Sequence, residues 1–145
     1  MAIAPDTIRA RVAARIGTLS GYKQSRWVLD LFGTDSNHVM HHAFAVGLGS
    51  TRAQGAARSR RHGGTLVTTQ VIIKWAHRIR ADAQVADYDA ALQSEQDVIE
   101  SMQGVALTDI ISLELNSITQ RQVAPSGDWF LSSVLYDVQH FYPTA

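Results

Sequence analysis

Hydrophobic positions change period along this chain, and the changes mark out a helix, two strands, a second helix and two more strands. Over residues 6–20, Ile8, Val12, Ile16 and Leu19 recur at helical spacing, with Arg9, Arg11 and Arg15 off that stripe. Pro5 suits a first helical turn, Asp6 sits near the positive end of the helix dipole, and Gly21 supplies a stop. From about Met40 to Leu48 the pattern alternates and predicts a strand. Met40, His42, Phe44, Val46 and Leu48 share one face; His41, Ala43, Ala45 and Gly47 share the other. Thr65 to Ile79 carries the longest alternation, with Val67, Val71, Ile73, Trp75 and Ile79 opposed to Gln70, Lys74, Arg78 and Arg80. Ala86–Gln103 returns to helical spacing. Asp87 or Asp89 can cap it, Gly104 can end it, and Tyr88, Leu92, Ile99 and Met102 form the expected buried stripe, with Glu95, Asp97 and Glu100 outside.

Ile110–Leu115 predicts a strand with Ile111, Leu113 and Leu115 inward. Ile118 breaks that parity and places a bulge or bend near Asn116-Ser117. Pro125-Ser126-Gly127-Asp128 is a turn. Trp129–Tyr142 is the last strand, with Phe130, Val134, Tyr136, Val138 and Tyr142 on one face.

Two stretches fit neither period. Residues 22–37 hold Trp27, Val28, Leu29, Leu31 and Phe32, too apolar for a free loop, before the turn cluster Gly33–Asn37. Residues 49–64 hold small residues, Arg52, Arg58, Arg60, Arg61 and His62, with almost nothing to bury. This segment is expected to be a flexible basic loop at the tip of a hairpin formed by the flanking strands. Short connections favour antiparallel pairing. The predicted fold is therefore α+β, one domain over 1–145, with a mostly antiparallel sheet of about four strands packed by two main helices.

Composition narrows the function classes. The chain has 145 residues, 46% hydrophobic and 18% charged, enough for one self-sufficient core. No apolar run approaches the roughly 20 residues that cross a membrane, so no membrane partner is expected. The first residues lead directly into a charged amphipathic segment, unlike a secretory signal. The absence of cysteine excludes a disulfide frame, a thiol nucleophile and a Cys-based zinc site.

The zero net charge hides a division. Residues 1–80 hold twelve of the thirteen Lys/Arg and three acids, a balance of +9; residues 81–145 hold ten acids and only Arg121, a balance of −9. Either the halves neutralise each other within one fold, or the subunit carries a basic and an acidic patch. In the second case it can join unlike partners or bind copies of itself head to tail, closing into a ring or running on as a filament.

Constellations for catalysis are lacking. His38, His41 and His42 are the nearest approach to a metal cluster, but on a strand His38 and His42 share a face and His41 points away, so they are read as hydrogen-bonding or interface residues. Gly47-Leu48-Gly49-Ser50 lacks the third glycine of a nucleotide-binding turn, and neither GxxxxGK[ST] nor GxSxG occurs. Asp87/Asp89 and Glu95/Asp97 read as a solvated helix face. No enzyme, metal or cofactor is expected. The 52–61 arginines can contact phosphates, or they can order against an acidic protein surface. The aromatic platform of single-strand binders is absent from that loop. Lys74, Arg78 and Arg80, on the polar face of the adjoining strand, can extend its patch, and Glu95, Asp97 and Glu100 are candidates for an acidic counter-face.

From about Gly63 onward the layout resembles the tail terminator (tail completion) proteins of tailed bacteriophages. The matching pieces are a long strand ending in a charged cluster (Thr65–Arg80), a helix opening Ala-Asp-Tyr-Asp-Ala-Ala-Leu, a strand around Ile111–Leu115, and a polar turn into the aromatic strand Asp128–Tyr142. The helix from Ile8 to Leu19 fits the family's opening; the Arg52–Arg61 loop and the segment around Trp27 match least. The resemblance implies a structural virion protein, assembled in the host cytoplasm. Its ring, hexameric in the family, caps the tail tube, stops its growth, docks a head or neck protein and leaves a channel for passing genomic DNA. The arginine loop is then expected to order against a neighbouring subunit or neck protein, or to line the channel. Lys74, Arg78 and Arg80 become candidates for a lumen or interface strand. Two other readings stay open: another head–tail junction protein, or a small nucleic-acid-binding domain using the Arg52–Arg61 loop.

Overall fold

The computed structural model describes residues 2–25, 41–53, 60–61, 64–103, 107–123 and 127–143, the side chains of 60, 61, 119 and 120 excepted. Helix α1 (Pro5–Ile16) is followed by strands β1 (Lys23–Gln24), β2 (Ala43–Ala53), β3 (Arg60–Arg61) and β4 (Gly64–Arg78). A 3-10 turn (Ala81–Ala83) leads into helix α2 (Gln84–Met102), and β5 (Ile110–Val123) and β6 (Trp129–Pro143) complete the order. The sheet has six strands, running β1-β2-β4-β6-β5 with β3 paired to β4 off that path. The β1–β2 pair is parallel and the others are antiparallel. The expected class, α+β on a mostly antiparallel sheet, is the one observed, but four strands was too few. β1 and β3 are two residues each, too short to leave a periodic trace.

Alternation decides which face is covered. β4 and β6 pair in unbroken register from Gly64↔Pro143 to Arg78↔Trp129. Val71, Ile73 and Trp75 therefore share a face with Val134, Tyr136 and Val138. On this face they meet Phe44 and Val46 of β2, Ile8, Val12 and Ile16 of α1, and Val98 and Met102 of α2 in one core. Full burial of each such aliphatic side chain contributes roughly 1.5–3 kcal/mol. The one polar atom of Trp75 is satisfied there, its Nε1–H donating to Ser94 Oγ at 2.9 Å. Beyond the start of β5, Ile3 N–H donates to Phe141 O at 2.8 Å and extends the pairing of β6.

Helix α1 stops earlier than its apolar spacing predicts. Gly17 is its C-cap. Thr18 then satisfies the freed Arg15 carbonyl through both its backbone N–H and its hydroxyl, the latter at 2.6 Å, and Leu19 N–H takes Ile16 O. Gly21, the expected stop, instead turns the chain four residues later at φ 84°. In α2 the buried stripe is Ala91, Ser94, Val98 and Met102, with Asp87 and Glu95 beside it. Tyr88 is exposed and Leu92 and Ile99 are half-buried, so the helix is rotated about one position from the expected face. Small residues at 91 and 94 let the helix sit close to Trp75.

β2 also departs from expectation at both ends. It begins at Ala43 because His42 adopts left-handed backbone at φ 58°, which breaks the alternation. It continues to Ala53, pairing Thr51, Arg52 and Ala53 with Thr69, Thr68 and Val67. Ser50 binds Gln70 and Thr51 binds Thr69 through their side chains. Residues 49–53, read from sequence as flexible loop, are thus strand, because their backbone groups find partners although their side chains bury little. β3 takes β4's side further on, Arg60↔Thr65 and Arg61↔Gly64.

Candidate assembly interface

β5 ends the sheet: among the described residues nothing pairs with its outer edge. Its register against β6 slips three times, at 110–112, 115–117 and 118–120, the middle slip being the bulge predicted near Asn116-Ser117. The strand expected at 110–115 therefore runs on to Val123. Leu115, Ile118 and Val123 lie opposite Tyr136, Val134 and Phe130 on the helix side of the sheet. The helix layer does not cover them: Leu115 and Ile118 are about two-fifths exposed, Val123 is 63% exposed and Ile111 53%. Ile111 and Leu115, expected inward, are thus corrected to surface residues. The slips turn the strand's side chains, and β5 lies at the sheet's margin. Val85 and Tyr88 of α2 extend this apolar surface. Between the start of α2 and the end of β5 lies a groove of about 470 Å³ lined by Ile79, Val85, Tyr88, Val123 and Phe130. Tyr88 stands edge-on to Phe130 with ring centres 5.4 Å apart.

The acidic candidates separate. Glu95 is buried, its carboxylate bound by Arg121 through Nε to Oε1 and Nη2 to Oε2, both at 2.9 Å. Its expected place on an acidic counter-face is overturned, because the one arginine of the acidic half reaches it from β5. Asp97 and Glu100 are exposed on α2 and accept amide hydrogen bonds from Gln93 and Gln96.

The basic candidates separate as well. Arg52 is exposed on β2 opposite Thr68, at a polar depression of about 340 Å³ shared with Glu114 and Asp137. Asp137 Oδ2 accepts from Asn116 Nδ2 at 2.8 Å. Arg60 and Arg61 contribute the backbone of β3, while Arg58 and His62 lie outside the described residues. Lys74, half-buried, and Arg78, exposed, share the face of β4 turned away from the helices. Arg80 lies beyond the strand and is committed to Asp87: its Nε and backbone N–H donate to Oδ2 at 3.0 and 2.7 Å, its Nη2 to Oδ1 at 3.0 Å. Those bonds, the guanidinium's foremost, hold the Asp87 carboxyl down at about 2. Arg80 is therefore withdrawn from the lumen strand and Asp87 from the capping of α2, whose N-cap is Ala83.

Two ion pairs, Arg80–Asp87 and Arg11–Asp109, join the basic half to the acidic half, so the division of charge is partly cancelled inside the fold. Exposed Lys23, Arg52 and Arg78 remain on one side of the account, and Asp82, Asp89, Asp97, Glu100 and Glu114 on the other. The paired carboxylates read from sequence as a solvated helix face are so only in part: Asp89 and Asp97 are exposed, but Asp87 and Glu95 are buried, each held by an arginine.

Sequence reasoning missed the apolar margin, because three slips hide its periodicity. It also missed a cluster of His41, His42 and His77. The expectation that His41 and His42 point apart fails because the turn at His42 stacks their rings, 3.8 Å between centres. His38, the third member of the set read from sequence, lies outside the described residues. A scan against protein-family models and a comparison with curated proteins each return no match.

Proposed function

We propose that this protein is a structural assembly subunit: a tail terminator of a tailed bacteriophage, forming a ring that caps the tail tube and joins it to the head or neck with a channel left for DNA. The observation that carries the reading is the open β5 margin. A strand of fourteen residues with four exposed aliphatic side chains, continued by Val85 and Tyr88, is a surface suited to a protein neighbour. A subunit with this apolar margin on β5 and the exposed cations Lys23, Arg52 and Arg78 on β1, β2 and β4 has two unlike surfaces. Contact between unlike surfaces is head to tail, and head-to-tail contact closes into rings when the rotation permits. The resemblance of the sequence's layout to that of tail terminators favours the ring over the filament. Arg52, placed beside Glu114 and Asp137, speaks for protein contact over DNA contact at that arginine.

Negative-stain electron microscopy of the concentrated protein, with class averaging, tests this. Rings with a hole wide enough for duplex DNA are expected, and they should block further polymerisation when added to growing tail tubes. A protein that stays monomeric both alone and with tube ends contradicts the proposal. A ring that binds the head side but never the tube marks a neck protein instead.

A further inference from the structure

The chain enters β2 through His41 and His42 and leaves β4 through His77, so three imidazoles converge where the two strands part. The ring centres are 3.8 Å apart for His41–His42, 4.5 Å for His41–His77 and 5.1 Å for His42–His77. One ligating nitrogen from each lies within 4.8 Å of the others. His42 N–H donates to Ala76 O at 2.8 Å, fixing the turn against β4 directly beside His77. The left-handed backbone of His42 brings its ring over that of His41 instead of onto the opposite face.

The nitrogens are differently committed. His77 Nδ1 stands 3.0 Å from Arg78 O, so it carries the proton and leaves Nε2 with a lone pair, the arrangement by which a backbone carbonyl orients a ligating histidine. His42 Nε2 is buried with no hydrogen-bond partner. A buried polar atom without a partner is costly, and a ligand would answer it. His41 Nδ1 accepts from Arg78 N–H at 3.1 Å, a bond it would exchange for one to a metal. Burial lowers the pKa of all three rings, His42 down to about 4, and so favours the neutral form that ligates metal.

We propose that His41, His42 and His77 form a binding site for one divalent transition-metal ion of the zinc class. Three imidazoles with no carboxylate among them select zinc, cobalt, nickel or copper over calcium or magnesium. Zinc–nitrogen bonds are about 2.0–2.1 Å, so the rings must close by small side-chain rotations. Three protein ligands leave the fourth position to water or to a group from a neighbouring molecule. The bound ion would clip the turn before β2 to the end of β4.

The test uses the full-length, tag-free chain, stripped with a chelator and titrated with zinc by calorimetry and with cobalt by absorption. One equivalent of zinc is expected, with the intense visible bands of four-coordinate cobalt. Zinc at about a hundredfold excess over its Kd should raise Tm by about 9 °C. His77→Gln should bind at least tenfold more weakly. If that buried change prevents folding, His41→Ala at the exposed member serves in its place and should do the same. Zinc bound equally well by the folded variant, or no heat and no cobalt bands at 100-fold excess of metal over protein, overturns the site. Neither result depends on ring formation, so this inference fails or stands apart from the proposed function.

Discussion

Glu95 is the residue whose environment differs most from what its neighbours in sequence suggest. It sits among exposed acids on α2 but is buried, and Arg121 supplies its charge balance. Arg121→Ala should cost about 1–3 kcal/mol in urea denaturation, because the carboxylate is left without its charged donors. Glu100→Ala, on the exposed face, should change stability by less than about 0.5 kcal/mol. At Gly64 the two central strands approach so closely that an added Cβ would stand 2.3 Å from Tyr142 O. Gly64→Ala should lose about 1–3 kcal/mol in the same assay, by overpacking. His140 is fully buried with Nε2 2.7 Å from Thr69 Oγ1, and burial lowers its pKa. The unfolded chain takes up this proton near pH 6.5 and the native protein only at lower pH. Its contribution is therefore complete above about pH 6.5 and is lost as pH falls below it. His140→Gln should flatten the decline in denaturation midpoint between pH 7.5 and 5; an unchanged slope would rule the histidine out as its source.

At the scale of elements, the exposed side chains of β5 give the assembly reading its sharpest test. Ile118→Lys with Val123→Lys should leave thermal unfolding of the monomer nearly unchanged and weaken self-association at least tenfold in sedimentation velocity. The element-level pattern also explains what could be read from sequence. β4 and β6 were legible because each runs fifteen residues with one face steadily apolar and the other mixed. α2 was legible as a helix but not in its phase, since Ala91 and Ser94 are buried for their smallness and not for hydrophobicity. β5 was legible only to its middle slip at Leu115, after which parity ceases to report facing. The histidine cluster depends on the pairing of 41–42 with 76–77, a long-range register that no local pattern contains. For the same reason the salt bridge across 26 residues could not be seen in a charge count.

Considered as a whole, the molecule keeps a residual separation of charge after its internal ion pairs are counted. Contact between such unlike surfaces should be favoured at low ionic strength and weaken as salt rises past the range where the screening length falls below about 10 Å. Light scattering at 50 and 500 mM NaCl should therefore show more assembly in the former; the reverse order would mean that the apolar margin acts without electrostatic help. Trypsin should cut the free subunit first between Arg52 and Arg61 and should be excluded from that stretch in the assembled state. Equal protection in both states would separate the basic hairpin from the contact. The three slips of β5 have a further consequence for the life of the free protein. A straight, greasy edge of this length would template addition of like strands without limit, the route to fibrils. Bulges interrupt the hydrogen-bonding phase every few residues, so a regular strand cannot zip along it. Such an edge resists the addition of like strands while its aliphatic side chains stay exposed.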